Sequence, residues 1–139
     1  MMISGARKGA FSGLRKLVAA AMAQELEALV VPGPELARAH GLDLAKAGLG
    51  LAITPRHAGV LLIVGDLPEG LRDAACVAYA QMPRPRAILA LGAGDLAPLP
   101  AADITAALTQ DGLLSGLAEL RRAITAGAFG NDVTDFEAP

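Results

Sequence analysis

Two uninterrupted apolar pentads constrain the fold more than any other feature. Val60-Leu61-Leu62-Ile63-Val64 ends at Gly65-Asp66, and Ala87-Ile88-Leu89-Ala90-Leu91 ends at Gly92-Ala93-Gly94-Asp95. A strand with one wet face alternates apolar and polar residues. A strand that is apolar at every position is covered on both faces, as in a parallel sheet between helical layers. Between the pentads, Pro68 and Glu69 open a helical pattern, with proline near the first turn and an acid facing the helix dipole. Leu71, Ala75, Ala78 and Met82 give that helix its packing face, and Pro83-Arg84-Pro85 stops it. Residues 60–91 therefore read as a βαβ unit, whose crossover is expected to be right-handed.

The flanking segments extend this unit. Val31-Pro32-Gly33-Pro34 is a breaker and a candidate third strand end. Glu35 to His40 is a short helical pattern, and Gly41–Gly48 is a connection with room for one helical turn. Leu49–Ile53 is short and apolar, and Thr54-Pro55-Arg56-His57 interrupts it. Asp103–Leu108 fits either a helical turn or a short strand. Leu113, Leu117, Leu120 and Ile124 form a stripe at helical spacing, with Asp111 as the expected cap and Arg121, Arg122 and Gly127 at the far end. The expected class is a three-layer α/β domain with a small, mainly parallel sheet, flavodoxin-like in outline.

At 139 residues the chain is one domain's worth. Its 53% hydrophobic content excludes disorder as the main state. Aromatics are 3% and the net charge is −2. That is too few rings for base stacking and no basic field for phosphate backbones, so no nucleic-acid partner is expected. The single cysteine, Cys76, excludes an internal disulfide and an all-cysteine metal site. Inside the crossover helix it reads as a buried, inert thiol.

Ahead of the core, Arg7, Lys8, Arg15 and Lys16 precede the apolar stretch Leu17–Ala23. Leu14, Val18, Met22, Leu26 and Leu29 fall on one face of an amphipathic helix, while Ala21-Met22-Ala23 also resembles a signal-peptidase site. The expected organisation is a single domain: a basic-starting helix over 1–28, an α/β core over 29–127 and an acidic tail over 128–139. No run approaches the roughly 20 apolar residues of a spanning helix. The expected location is cytoplasmic, with peripheral membrane contact through the basic start left open.

Candidate polar sites are few. In open α/β sheets ligands bind at the carboxyl ends of strands, which here carry Asp66, Gly92, Gly94 and Asp95. Gly92-Ala93-Gly94 gives a backbone room beside a phosphate, but prolines follow where a nucleotide-binding helix would start. Asp66 and Asp95 are candidates for facing acids, against the plainer reading of loop caps. Arg56-His57, at the expected start of a buried strand, is a candidate for an anion or a partner carboxylate. His40 and His57 are the only histidines, with no metal-ligand spacing, and no serine has a nucleophile-elbow context.

Several blocks resemble one family. Thr54-Pro55-Arg56-His57-Ala58-Gly59 followed by Val60–Gly65 is similar to the S-P-R-H/Q-A-D-hydrophobic-G stretch of the small, cluster-bearing subunit of membrane-bound nickel–iron hydrogenases and its homologue in respiratory complex I. Tyr79-Ala80-Gln81-Met82-Pro83-Arg84-Pro85-Arg86 resembles that family's Y-x-Q-M-P-x-P-[KR], and Ile88–Gly92 the strand and glycine after it. Leu42-Asp43-Leu44 resembles its Y-D-L element, and Leu113-Leu114-Ser115-Gly116-Leu117 its closing helix. The resemblance runs from about Leu29 to Ile124. It implies a hydrogenase small-subunit-like fold and a large-subunit partner.

The departures are specific. The family holds a [4Fe–4S] cluster with four thiolates. The matching positions here are Glu27–Val31, which holds no cysteine, Gly94, and a shortened loop at Ala106–Asp111. The resemblance thus implies a scaffold without its cluster and without another cofactor, acting as a structural or regulatory interaction module. Its partner would be a hydrogenase-like or complex-I-like large subunit, or a second copy. Two other classes stay open: a small-molecule binder or enzyme at the strand ends, and an electron carrier whose iron is ligated partly by another chain.

Overall fold

The computed structural model describes residues 26–126. Five strands form one all-parallel sheet: β1 (Leu26–Val31), β2 (Leu49–Leu51), β3 (Val60–Val64), β4 (Ala87–Leu91) and β5 (Ile104–Ala106), in the order β2-β1-β3-β4-β5. Three helices cover it: α1 (Pro34–Ala39), α2 (Glu69–Gln81) and α3 (Gln110–Thr125). The chain is a three-layer α/β fold. Both pentads are buried at every position, as double-sided cover requires.

Side-chain alternation divides the core in two. Val60, Leu62, Val64, Leu89 and Leu91 point to the layer of α1 and α3 and meet the stripe Leu113, Leu117, Leu120 and Ile124. Leu61, Ile63, Ile88 and Ala90 point to the layer of α2 and meet Ala75, Cys76 and Tyr79. Gly116 lets α3 approach closely: a Cβ there would lie 3.0 Å from Leu89 Cδ1.

Four expectations need correction. Leu26 and Leu29 belong to a strand, not to an amphipathic helix. Leu26, Ala28 and Val30 face one apolar layer while Leu29 and Val31 face the other, so apolar residues three apart mimic a helical stripe. The remainder of the expected helix, the signal-peptide alternative and the acidic tail lie outside the described residues. The α3 cap is Thr109 rather than Asp111. Thr109 has extended geometry and its hydroxyl accepts the Gly112 N–H at 2.9 Å, leaving Asp111 in the first turn. On α2, Leu71 is exposed, and Cys76 and Tyr79 carry the packing with Ala75 and Met82. Arg56 and His57 do not begin a strand; they sit in an exposed 3-10 turn, Pro55–His57, ahead of β3. Pro55 fixes the turn, and the strand starts only where the apolar run does.

Long-range polar contacts fasten the layers. Asp43 N–H donates to Gln110 Oε1 at 2.7 Å, and Gln110 Nε2 donates to the Asp43 carbonyl at 3.0 Å. At the other end of α3, Arg121 donates to the Ala47 and Gly48 carbonyls at 3.2 and 3.1 Å. Asp103 brings β5 to β4 by a reciprocal pair: its carboxylate accepts the Ile88 N–H at 2.8 Å and its own N–H donates to the Ile88 carbonyl at 2.9 Å. That pairing goes with a short strand in the 103–108 segment, Ile104–Ala106, with residues 107 and 108 already outside it.

Candidate functional site

Because every strand is parallel, the carboxyl ends of β1, β3, β4 and β5 share one edge of the molecule. There Gly65 and Gly92 turn the chain out of the sheet with φ of 74° and 63°, a region disfavoured for side chains. Their amides stay in the ladder. Gly65 N–H donates to the Leu91 carbonyl and Gly92 N–H to the Ala106 carbonyl, both at 2.9 Å.

The two acids of this edge are not a pair. Asp66 accepts the Gly94 N–H on Oδ1 at 2.5 Å, tying the loop after β3 to the loop after β4. Asp95 accepts the Ala97 N–H at 3.0 Å and pairs with Arg72 of α2 at 3.2 Å. The Ala97 amide, and then the Arg72 guanidinium, hold the Asp95 carboxyl below its ordinary value despite its exposure. Each acid serves as a loop clasp. Beside them lies a cavity of about 310 Å³ lined by Ala90, Ala93, Leu96, Leu99, Asp95 and Thr105 among others. Its only carboxylate is the one already engaged.

Arg56 and His57 lie at the opposite edge, before the amino end of β3. His57 Nδ1 is 2.8 Å from Thr54 Oγ1 within its own turn. The candidate residues therefore divide into two groups, Arg56 and His57 at one end and Asp66, Gly92, Gly94 and Asp95 at the other. No one crevice gathers all six.

Two residues that the sequence reading left aside matter more at this site. Leu108, half-buried after β5, lies over both strand-end glycines. A Cβ on Gly92 would stand 3.0 Å from Leu108 Cβ, and one on Gly65 would stand 3.8 Å from Leu108 Cδ2. Arg86, 4% exposed, is the buried charge of the core cross-over. Its guanidinium lies 4.1 Å from the Tyr79 ring centroid and donates to the Tyr79 carbonyl at 2.8 Å. The Q-M-P-x-P-[KR] block already contained Arg86. For Leu108 only the loop's shortening was a signal.

These residues do not fit a thiolate-held cluster. At Gly94, a Cβ would come within 2.8 Å of the Asp66 carboxylate. The loop that follows β5 presents Leu108 to the strand ends. Cys76 is on the buried face of α2, where burial first, and Asp73 second, push its thiol above the usual range. Among the described residues, no three His, Cys, Asp or Glu side chains gather as a metal site.

No family model matches the sequence, and no curated protein does. The fold has solved relatives. A chain of the membrane-bound sulfane sulfur reductase, an archaeal respiratory membrane complex, superposes with a TM-score of 0.63 at 18% identity. The match covers 79% of this chain and 77% of that one. At this identity the likeness is one of fold. Among the described residues, no helix is long and apolar enough to cross a membrane.

Proposed function

We propose that this chain is a cluster-free relative of the NADH dehydrogenase and hydrogenase small subunit, serving as a structural or regulatory interaction module of an oxidoreductase complex. One observation carries the reading. Leu108 packs over Gly65 and Gly92, at the strand ends where the resembled family keeps its cluster. An apolar side chain takes the place of thiolate ligands, while the glycine turns and the clasp between Asp66 and Gly94 keep the loops in shape. Fold likeness to a chain of a respiratory membrane complex supports the same reading.

The mechanism is recognition. Loops fixed by Asp66, Asp95 and Arg72 present a pre-formed, mostly apolar edge, so little ordering entropy opposes docking. Its partner is a hydrogenase-like or complex-I-like large subunit, and membrane association follows through that partner.

Anaerobic purification of the tagged chain from its native host, membranes included, tests this reading, with co-purifying proteins and iron measured together. A large oxidoreductase subunit recovered with a chain that carries no iron is the expected result. Iron bound to the chain would establish the electron-carrier class instead. A monomer without partners would overturn the module reading and return attention to the 310 Å³ cavity.

A further inference from the structure

β2 (Leu49–Leu51) is an edge strand, with β1 its one neighbour among the described strands. In a parallel pair, alternate residues turn both backbone groups to the same neighbour. Ala52 N–H donates to the Ala28 carbonyl of β1 at 2.8 Å, so Leu49 and Leu51 turn theirs away from β1. The Leu44 carbonyl takes the Leu49 N–H at 2.9 Å. Leu51 presents its N–H and C=O to the open side. Charges and prolines are what usually keep such an edge from pairing, and none stands between Leu49 and Ile53. Leu51 is 48% exposed and Ile53, two residues on, is 91% exposed, the two largest exposures of any large apolar side chain described.

Beside this edge runs a groove of about 500 Å³ between α1 and β2, lined by Ala37, Arg38, Leu42, Asp43, Leu49 and Leu51 among others. It carries one charge of each sign, and the two lie toward opposite ends. α1 starts just after β1 and runs back, which carries Arg38 toward the amino ends of the strands. Asp43 is held to Gln110, the first residue of α3, at the carboxyl ends. An antiparallel mate reverses that order, so the arginine of each groove comes to the aspartate of the other. Register treats the apolar residues alike. A pair centred on Leu51 sets Ile53 of one copy opposite Leu49 of the other, and Leu49 is a wall of the groove. Glu27 lies along Gly50, one strand in from the edge and on the sheet face opposite Leu26 and Ala28. In such a pair the two Glu27 side chains stand three strand spacings apart, about 14 Å, beyond the screening length of physiological salt.

We propose that a second copy of this chain pairs with β2, antiparallel about a two-fold axis at Leu51. The Leu51 N–H of each copy donates to the Leu51 carbonyl of the other, Ile53 enters the other copy's groove over Leu49, and Arg38 faces Asp43. Such an interface is isologous and closes at two copies. β2 is three residues long, so the side chains carry more of the affinity than the ladder does. This inference does not depend on the oxidoreductase reading.

Sedimentation equilibrium of the purified full chain, under reducing conditions, tests it. The expected result is a monomer–dimer equilibrium, with hydrogen exchange at the Leu51 amide slowing as dimer forms. Ile53→Lys, at a position too exposed to unfold the monomer, is expected to raise the dissociation constant about tenfold or more. Arg38→Glu and Asp43→Lys, each checked for an unchanged fold by circular dichroism, are expected to weaken self-association several-fold. Mixed in equal amounts, those two variants are expected to form a heterodimer of wild-type affinity, because both crossings then join opposite charges. A chain that is monomeric at every concentration overturns the proposal, and a Leu51 amide protected in that monomer shows the edge covered from within the chain. A dimer that Ile53→Lys leaves intact overturns it as well, since that dimer uses another face. A mixture no tighter than either charge variant alone overturns the antiparallel order. All of these outcomes are read on the chain alone, so they stand apart from the co-purification that tests the functional reading.

Discussion

Arg86 and Tyr79 hold each other at the end of α2: the guanidinium sits 4.1 Å from the ring centroid and donates to the same residue's carbonyl at 2.8 Å. A second, longer contact reaches the Met82 carbonyl at 3.5 Å. The last carbonyls of a helix run short of intrahelical partners, and here a buried cation from the next segment joins the Met82 N–H as a donor to the Tyr79 carbonyl. Pro83 and Pro85 make this geometry, because they turn the chain so that Arg86 points back at the helix it has just left.

Removing that cation is expected to be costly. Arg86→Met keeps much of the volume but removes one of the two donors to the Tyr79 carbonyl, leaving the Met82 N–H at 3.1 Å, and takes the cation from the ring. The expected loss is about 2–4 kcal/mol, read as a fall in the urea midpoint with unchanged slope. Arg86→Lys recovers only part, because an ammonium cannot lie flat on the ring while donating sideways.

Two helical glycines should respond in opposite directions to the same substitution. Gly70, in the first turn of α2, has nothing within 4 Å of an added Cβ. Gly70→Ala is expected to stabilise by about 0.5–1 kcal/mol through the unfolded chain's entropy. Gly112, in the first turn of α3, would drive a Cβ into the Ala107 carbonyl. Backbone cannot yield as a side chain does, so Gly112→Ala should lose several kcal/mol, on the order of the larger single-site effects. Thermal melts of the two variants check the sign and the order.

Asp95 gives a pH dependence with a definite sign. Its carboxyl is held below the ordinary 3.8, first by the Ala97 amide and then by Arg72. A carboxylate lowered by folding stabilises the native state above its unfolded value, and that contribution is lost as the pH falls through its folded value. The wild-type urea midpoint should therefore drop as the pH is taken from 5 to 2, and Asp95→Asn should drop less over the same interval. At neutral pH the Asn variant should be the weaker of the two. An identical acid limb for both chains would remove Asp95 from the account.

What was legible in the sequence follows from how local each signal is. Val60–Val64 and Ala87–Leu91 announced the buried parallel pair because each residue's environment is the same on both sides of the sheet. Leu113, Leu117, Leu120 and Ile124 announced α3 because one helix face meets one layer. β1 was hidden by the same logic: with both faces covered, its apolar residues also fit a helical stripe. The contacts of Arg86, Arg121 and Leu108 were not legible, since each partner is chosen by tertiary approach. Arg121 reaches carbonyls more than seventy residues away in sequence, and no local pattern encodes that. The candidate site was legible in its strand-end glycines and acids. Their roles as turns and clasps emerged only once the two loops lay side by side.

The last prediction concerns the contact on which the functional reading rests. Gly92 and Gly65 both have left-handed backbone, so alanine at either should cost about 1–2 kcal/mol from conformation alone. They differ in surroundings. An alanine methyl at Gly65 would meet Leu108 at ordinary contact distance, whereas at Gly92 it would press on Leu108 Cβ at 3.0 Å. Gly92→Ala should therefore be the more destabilising. Trimming Leu108 to Ala leaves its Cβ in place and removes only the outer atoms, so it should not rescue Gly92→Ala fully; Leu108→Gly should rescue more. A double-mutant cycle on urea midpoints measures the coupling. Additive effects across Gly92 and Leu108 would mean that the leucine does not bear on the strand ends. The packed, thiolate-free edge would then lose its support.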